Sequence, residues 1–274
     1  MEDIFQEIVS IRSEGKIAAV ATVINAKGST PREIGSKMLI RNDGTVLGSI
    51  GGGSLEAQVC KEAMKVMREN RSTVLRFDLT GKEVAEEGMI CGGNMEVFVE
   101  PIAPEPCLYI FGGGHISLFL AKLGKMVGFK IVVVDDRPEF ANPERFPEAD
   151  EVIAQDLLLA FPRLTINKSS YIAIVTRGHL QDETALEWAV KTDAAYIGMI
   201  GSRKKNQTVF SHLQTKGVAK KRLEKIHAPI GLNINAETPE EIAVSIMAEI
   251  IKVRRKWSTG SRTGKFKVRE DGKI

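Results

Sequence analysis

The feature that most constrains the fold of this chain is a strand-like apolar run. It leads into three glycines and then into a helix-like apolar run. Residues 108–111 are apolar, Gly112, Gly113 and Gly114 follow, and the apolar residues of 118–123 have helical spacing. In dinucleotide-binding folds the first glycine permits a tight turn, the second lets backbone N–H groups approach a pyrophosphate, and the helix N-terminus favours negative charge. The run therefore predicts a strand–loop–helix unit that binds a nucleotide-like anion.

The residues around this run extend the prediction. A second predicted strand, residues 131–134, ends in Asp135 and Asp136. They follow the glycines by about 20 residues, where such folds carry the carboxylate that binds a ribose hydroxyl; this disfavours a 2′-phosphate and makes NAD more plausible than NADP. Ser117 replaces the usual Gly or Ala, which predicts slightly looser helix packing or a bulkier pyrophosphate geometry. We expect His115 to line the same pocket; a βα turn without a ligand is the alternative.

Length and composition limit the class of protein. With 274 residues and 43% hydrophobic content, the chain can bury a full core and is expected to form two domains. No apolar stretch is long enough for a membrane span, and the N-terminus lacks the pattern of a signal peptide, so we expect a cytoplasmic protein. The cysteines Cys60, Cys91 and Cys107 lack C-x-x-C spacing, which argues against a disulfide framework and a structural zinc site.

The positive charge is concentrated at the C-terminal end. The chain has a net charge of +3, yet residues 252–274 contribute +7 and residues 1–251 contribute −4. We expect residues 258–274 to form a flexible basic tail, either a solvated terminus or an electrostatic docking arm. Because the rest of the chain is mildly acidic, nucleic acid is not an expected partner.

The elements divide at a proline-rich segment, residues 101–106. Residues 1–104 are predicted to form an α+β domain, since Asn42-Asp43-Gly44 between two apolar runs is a hairpin signal. Residues 107–257 alternate strands and helices, which predicts a Rossmann-like, doubly wound parallel sheet. Thr238 and Glu241 predict a capping box at the start of the last helix.

The first half carries two further glycine-containing motifs. Gly51, Gly52 and Gly53 precede Ser54, which is expected to cap a helix, and their amides could hold an anion. A sharp turn is the alternative for this cluster, although three glycines exceed what one turn needs. An upstream loop supplies hydroxyls and cations from Ser29, Thr30, Arg32 and Lys37. A functional and a structural role are equally supported for this loop.

Cys91 is the candidate soft ligand of the chain. Neighbouring glycines leave its thiol sterically open, and nearby amides would favour the thiolate, which suits a soft ligand or a sulfur carrier. A small buried hydrophobic residue at the start of a strand is the alternative.

Polar residues follow two predicted strands of the second half. Arg177, Gly178 and His179 come after one strand, and His179 and Asp182 could pair as a base and its orienting carboxylate. A histidine satisfied by a local carboxylate is the alternative. The next strand ends in a serine and cations at a helix start, which are either surface residues or anion ligands: Gly201, Ser202 and Arg203.

Seven motifs together resemble a known family. They are GSTPREIGSKM, GSIGGGSLE and CGG in the first half, and YIFGGGHIS, VVVDDRPEF, TRGHLQDETAL and YIGMIGSRKK in the second. In this order, over roughly residues 15–256, they are similar to the XdhC/CoxI family of xanthine dehydrogenase accessory proteins.

The resemblance implies a maturation factor for a molybdenum hydroxylase. Such a factor binds molybdenum cofactor, a pterin with a phosphate or a dinucleotide pyrophosphate, assists its sulfuration or protection, and delivers it to the apo-enzyme. It implies that Gly112, Gly114 and Asp135 hold the phosphate or nucleotide part and that Cys91 is the molybdenum contact. The first-half loops would line the facing wall. A cysteine desulfurase and a second copy of the chain are further expected partners.

An NAD-dependent oxidoreductase is the competing interpretation. In it the second half would bind NAD and His179 would donate a proton. The resemblance over the whole chain argues against it, as does the lack of an obvious acid–base pair in the first half. A nucleotide sensor without chemistry would use the same glycines.

Overall fold

The computed structural model describes residues 3–79 and 93–258, which contain two five-stranded sheets. The strands of the first sheet are β1 (Ala18–Lys27), β2 (Lys37–Arg41), β3 (Val46–Gly48), β4 (Thr73–Asp78) and β5 (Asn94–Ile102). Those of the second are β6 (Cys107–Phe111), β7 (Lys130–Asp135), β8 (Glu151–Ala154), β9 (Ser170–Ile174) and β10 (Tyr196–Met199). The α-helices are α1 (Ile4–Ser13), α2 (Gly53–Glu69), α3 (His115–Met126), α4 (Leu157–Ala160), α5 (His179–Ala189), α6 (Arg203–Thr215), α7 (Lys220–Leu223) and α8 (Pro239–Ser258).

The first sheet is antiparallel, in the order β3-β2-β1-β5-β4. The predicted hairpin joins β2 to β3, and Gly44 adopts a φ of 86°, which a residue with a side chain rarely adopts. Helix α2 covers one face of the sheet, because Leu55, Val59, Ala63 and Val66 recur at helical spacing and are all buried.

The second sheet is parallel, in the order β10-β9-β6-β7-β8. Its central strands β6 and β9 are buried along their whole length, because helices cover both faces. Helices α3 and α8 pack on one face, and α4, α5 and α6 on the other. The predicted fold class, a Rossmann-like parallel sheet beside an α+β unit, is confirmed.

The capping box predicted for the last helix is present. The Thr238 hydroxyl accepts from the Glu241 amide at 3.3 Å, and the Glu241 carboxylate accepts from the Thr238 amide at 3.2 Å. Ile246 and Ile250 of α8 are fully buried against the sheet. Among the described helices, none has both the length and the apolar character that a membrane crossing requires.

The two halves of the described chain contact each other near their connection. Arg12 forms an ion pair with Glu105 at 3.7 Å, and a Cβ on Gly15 would lie 2.4 Å from the side-chain nitrogen of Asn167. A cavity of about 690 Å³ lies between the halves beside these contacts. These contacts and the cavity adjoin the amino ends of the parallel strands. The glycine loop at Gly112 lies at the opposite edge, after the carboxyl end of β6.

Candidate functional site

The loop after β6 forms the centre of the carboxyl edge of the parallel sheet. Gly112 has a φ of 107°, and a Cβ on it would lie 2.4 Å from the carbonyl oxygen of Val175. The loop therefore packs directly on the end of β9, where the strand order reverses and α/β folds bind ligands. Ser117 does not loosen the helix: its buried hydroxyl donates to the Gly112 carbonyl at 2.5 Å and closes the loop.

Asp135 ends β7 as predicted, but its carboxylate is bonded to the protein rather than open to a ribose. Its Oδ2 accepts from the Gly113 amide at 2.7 Å and from Arg137 Nη2 at 2.9 Å. Its Oδ1 accepts from the Arg137 amide at 3.1 Å and from Arg137 Nε at 2.9 Å. Burial raises the pKa of Asp135, but the bonds from Arg137 and Gly113 outweigh burial and hold the pKa below its usual value, so the group is ionised.

Asp136 connects the loop after β7 with the loop after β9, two strands that lie on either side of β6. Its carboxylate accepts from Arg177 Nη2 at 2.7 Å and from the Gln181 side chain at 3.4 Å. The interaction fixes the loop after β9 beside the loop after β7. Gly178 is the N-cap residue of α5, and His179 begins that helix with an exposed side chain.

Asp182 does not pair with His179, in contrast to the sequence expectation. The carboxylate is fully buried, accepts from the Thr176 hydroxyl at 2.6 Å and forms an ion pair with Lys205. Helix geometry explains the difference, because the first turn of α5 directs Asp182 towards the core while His179 points to solvent. Burial raises the pKa of Asp182 above its usual value, and the bonds from Lys205 and Thr176 oppose this increase.

The turn after β10 completes the carboxyl edge. Ser202 caps α6 by accepting from the Lys205 amide at 3.2 Å, so this hydroxyl is used within the helix, and Arg203 is the first residue of that helix. Gly201 has a φ of 145°, and its carbonyl accepts from the Asn206 side chain at 3.2 Å. A cavity of about 470 Å³ opens between the first turns of α5 and α6, and its lining includes His179, Ser202, Lys204 and Lys205.

The start of α3 is the open part of the glycine loop. Gly114 is the N-cap residue, no side chain caps the helix, and nothing lies within 4 Å of the position that a Cβ on Gly114 would occupy. The Gly112 amide donates to Val134 and the Gly113 amide to Asp135. The helix start at His115, rather than the first two glycines, therefore presents backbone N–H groups to a ligand.

The first-half glycine loop holds an internal carboxylate. Glu56 Oε1 accepts from the Ser49 hydroxyl at 2.8 Å and from the Ile50 and Gly52 amides at 3.0 Å each. The amides of Gly51, Gly52 and Gly53 were expected to hold an external anion, and the Gly52 amide donates to Glu56 instead. Burial raises the pKa of Glu56, but these hydrogen bonds outweigh burial and lower it overall.

Helix α2 begins two residues earlier than the sequence suggested. Its N-cap residue is Gly52, so Ser54 lies inside the helix and makes no capping hydrogen bond. The expectation that Ser54 caps the helix is therefore wrong. Glu56 instead supplies the acceptor that the loop and the helix start require.

The first-half motifs lie together at one end of the antiparallel sheet. A Cβ on Gly51 would lie 2.6 Å from Pro31, and one on Gly93 would lie 2.8 Å from the Ser29 carbonyl oxygen. Lys37 donates to the Thr22 hydroxyl at 3.0 Å, and Thr30 to the Arg32 carbonyl at 3.2 Å. The side chains of Lys37 and Thr30 therefore bond within the protein.

Two expectations for the first half concern Cys91 and a wall that faces the parallel sheet. Cys91 lies outside the described residues. The facing wall implied by the resemblance stays a prediction; the ion pair of Arg12 with Glu105 and the approach of Gly15 to Asn167 lie near the connection before Cys107. Within residues 3–79 and 93–258, no three His, Cys, Asp or Glu side chains are grouped as metal ligands.

The sequence analysis did not identify the side chains that bond to the predicted aspartates and to the first glycine loop. Arg137 directly follows the two aspartates, Glu56 lies one helical turn after the glycines, and Lys205 lies in the run after Ser202. The signal for Arg137 was its position two residues after Asp135, which allows a side chain to bond back to the end of the strand. Lys205 and Asp182 are 23 residues apart, and no local pattern connects them.

Comparison with protein-family models gives two matches. Residues 108–250 match the model described as the XdhC Rossmann domain, and residues 11–78 match the XdhC and CoxI family. A Bacillus halodurans crystal structure titled a xanthine dehydrogenase has a TM-score of 0.52 at 22% identity, over 92% of this chain and 95% of that chain. At that identity the likeness shows a shared fold.

Comparison with individual proteins gives three relatives. The chain is 34% identical to the uncharacterized protein YqeB of Escherichia coli over 92% of this chain and 46% of YqeB, so it spans about half of that relative's length. It is 24% identical to a Bacillus subtilis protein named as a probable xanthine dehydrogenase subunit, over 87% of this chain and 94% of the relative. It is 20% identical to the Escherichia coli molybdenum cofactor insertion chaperone PaoD, over 88% of this chain and 84% of PaoD. The chain belongs to the XdhC and CoxI family, and its parallel sheet is the XdhC Rossmann domain.

Proposed function

We propose that this chain binds molybdenum cofactor as cargo, assists its sulfuration or protection, and delivers it to an apo-enzyme of the xanthine dehydrogenase type. The observation that carries the proposal is family membership together with a relative named as a molybdenum cofactor insertion chaperone, which aligns with 88% of this chain. The relative named as a probable xanthine dehydrogenase subunit supports the same class of client.

The carboxyl edge of the parallel sheet has the chemistry that such a cargo needs. A phosphate fits the uncapped start of α3 at Gly114 and His115, where backbone N–H groups and the helix dipole favour negative charge. Arg177, about half exposed, supplies a guanidinium beside this loop. The pterin would extend past Gly178 towards the cavity at His179 and Ser202.

The remaining site assignments belong to the same proposal. The loop with Ser29, Thr30 and Arg32 and the adjacent Gly51 would contact the cofactor when a second copy or the client enzyme brings them near. Cys91 would be the soft contact to molybdenum or sulfur. A cysteine desulfurase would supply the sulfur, and a homodimer would provide the second copy.

An NAD-dependent oxidoreductase has less support. That function needs a carboxylate for the ribose, and both aspartates after β7 are bonded to protein groups. It also needs a positioned acid–base group, and the buried Asp182 bonds to Thr176 and Lys205.

The test is anaerobic activation of a purified apo-hydroxylase by isolated molybdenum cofactor. We expect the chain to increase the activated fraction and Arg177→Gln to reduce that increase roughly tenfold, because a charge-assisted contact to phosphate is lost. Arg163→Gln is the matched control, since Arg163 bonds to Gln155 away from the glycine loop and should leave delivery unchanged. Equal activation with and without the chain would contradict the proposal.

A further inference from the structure

We propose that Arg137 withdraws Asp135 from ribose recognition, so that the glycine-loop site binds a phosphate without reading a ribose diol. The ligand class is then a phosphate monoester that lacks ribose, rather than a dinucleotide held through its ribose. The inference rests on the proposed function only in assigning that phosphate to the cofactor.

The carboxylate of Asp135 has no acceptor position left. Each of its two oxygens accepts two hydrogen bonds. The Gly113 amide donates one of the four, to Oδ2 at 2.7 Å, and Arg137 donates the other three. A carboxylate oxygen has about two lone-pair sites, so this set saturates the group. The side chain of Asp135 is also only 4% exposed, which leaves no path for a diol. Asp135 could accept from a ribose only if Arg137 left.

Arg137 is held between the Asp135 carboxylate and the Phe140 ring. Its guanidinium lies 3.6 Å from the centroid of the Phe140 ring, and a second guanidinium, from Arg145, lies 5.2 Å from the same ring. Arg145 Nε donates to the Gly113 carbonyl at 3.2 Å. A Cβ on Gly113 would lie 2.3 Å from the Phe140 carbonyl oxygen, so the loop after β7 lies directly on the glycine loop. The bidentate pair is therefore built into the packing of both loops.

Asp136, the next residue, pairs with side chains that follow β9 rather than with Arg137. Its two oxygens bond to Arg177 and Gln181, and this pairing connects the loops after β7 and β9. Three guanidiniums, those of Arg137, Arg145 and Arg177, thus surround two carboxylates at the loop. The guanidinium of Arg177 and the open start of α3 favour a phosphate.

The test compares ADP with 2′,3′-dideoxy-ADP on the full chain by calorimetry. The two ligands share both phosphates and the base and differ only in the diol. We expect both to bind with affinities within about twofold. A tenfold preference of the unmodified protein for ADP would overturn the proposal, and this arm needs no variant to fold.

A second arm releases Asp135. Arg137→Met removes the guanidinium donors, while the flexible methionine side chain still covers Phe140. This variant should bind ADP roughly tenfold more tightly than dideoxy-ADP, because the freed Asp135 carboxylate accepts hydrogen bonds from the diol. Adding Asp135→Asn to this variant should abolish the preference, and Arg163→Met is the matched control without effect. No gain in Arg137→Met, or no binding of either ligand to any of the proteins, would overturn the proposal.

The two arms use no molybdenum cofactor. A ribose preference in the unmodified protein would therefore refute the role of Arg137 while leaving delivery to be judged by activation of the apo-hydroxylase. Failure of delivery with equal ADP and dideoxy-ADP affinities would refute the proposed function alone.

Discussion

Two carboxylates bond to the backbone of the two glycine loops. Asp135 accepts from the Gly113 amide, and Glu56 accepts from the Ile50 and Gly52 amides. Both loops expose N–H groups without side chains in the way, and buried or half-buried N–H groups need acceptors. The chain supplies those acceptors itself, which leaves the start of α3 as the open part of the second loop.

Glu56→Gln tests this role in the first loop. We expect the free energy of unfolding to fall by about 1–2 kcal/mol at pH 7, because charge-assisted hydrogen bonds become neutral ones. The pKa of Glu56 is lowered from 4.5, so its stabilisation is present above that value and is lost as the pH falls through the lower folded-state pKa. Urea denaturation at pH 7 and below pH 4.5 should show a difference that shrinks in acid.

Glu62→Gln is the matched control for this prediction. Glu62 lies on the same helix and forms an ion pair with Lys65 at 3.3 Å on the surface. The change should cost less than about 0.5 kcal/mol. Equal costs for both variants at every pH would mean that Glu56 does not support the loop.

At the scale of elements, Asp182 and Lys205 connect the first turns of α5 and α6. The carboxylate is fully buried, and the lysine side chain is 18% exposed. The pair therefore fixes the relative position of the helices that follow β9 and β10. These helix starts form the wall of the cavity proposed to receive the pterin.

Lys205→Met tests the connection. Removing one partner of a buried ion pair leaves an uncompensated charge, so we expect the free energy of unfolding to fall by about 3 kcal/mol. Adding Asp182→Asn should restore most of the loss, because no buried charge remains. A double-mutant cycle by chemical denaturation measures the coupling, and additive losses would show that the pair is not coupled.

Elements with local signals were predictable from the sequence. The hairpin turn at Gly44 and the capping box of Thr238 and Glu241 depend on residues within a few positions of each other, and both were predicted correctly. The partners of Asp182 and Asp136 come from other helices and loops. The sequence predicted the positions of these aspartates at helix and strand ends but not their bonds, which depend on how distant segments pack.

At the scale of the whole molecule, the described contacts between the halves are few and exposed. Arg12 and Glu105 are 49% and 57% exposed in their ion pair. Five residues of β6 separate this region from the glycine loop, roughly 16 Å at the rise of a strand. The glycine loops after β3 and β6 were correctly predicted to follow strands, whereas the placement of the halves had no local signal.

Arg12→Ala tests how strongly this contact joins the halves. We expect the free energy of unfolding to change by less than about 1 kcal/mol, because exposed ion pairs contribute little. Guanidinium denaturation measures the change. A loss above about 2 kcal/mol would show that the contact supports the fold of both halves.

The most direct test of the proposed function is anaerobic equilibrium binding of isolated molybdenum cofactor and of NAD to the same purified protein. We predict that the cofactor binds more tightly than NAD, because the saturated Asp135 carboxylate offers NAD no acceptor for its ribose. Binding of NAD without any affinity for the cofactor would contradict the proposal.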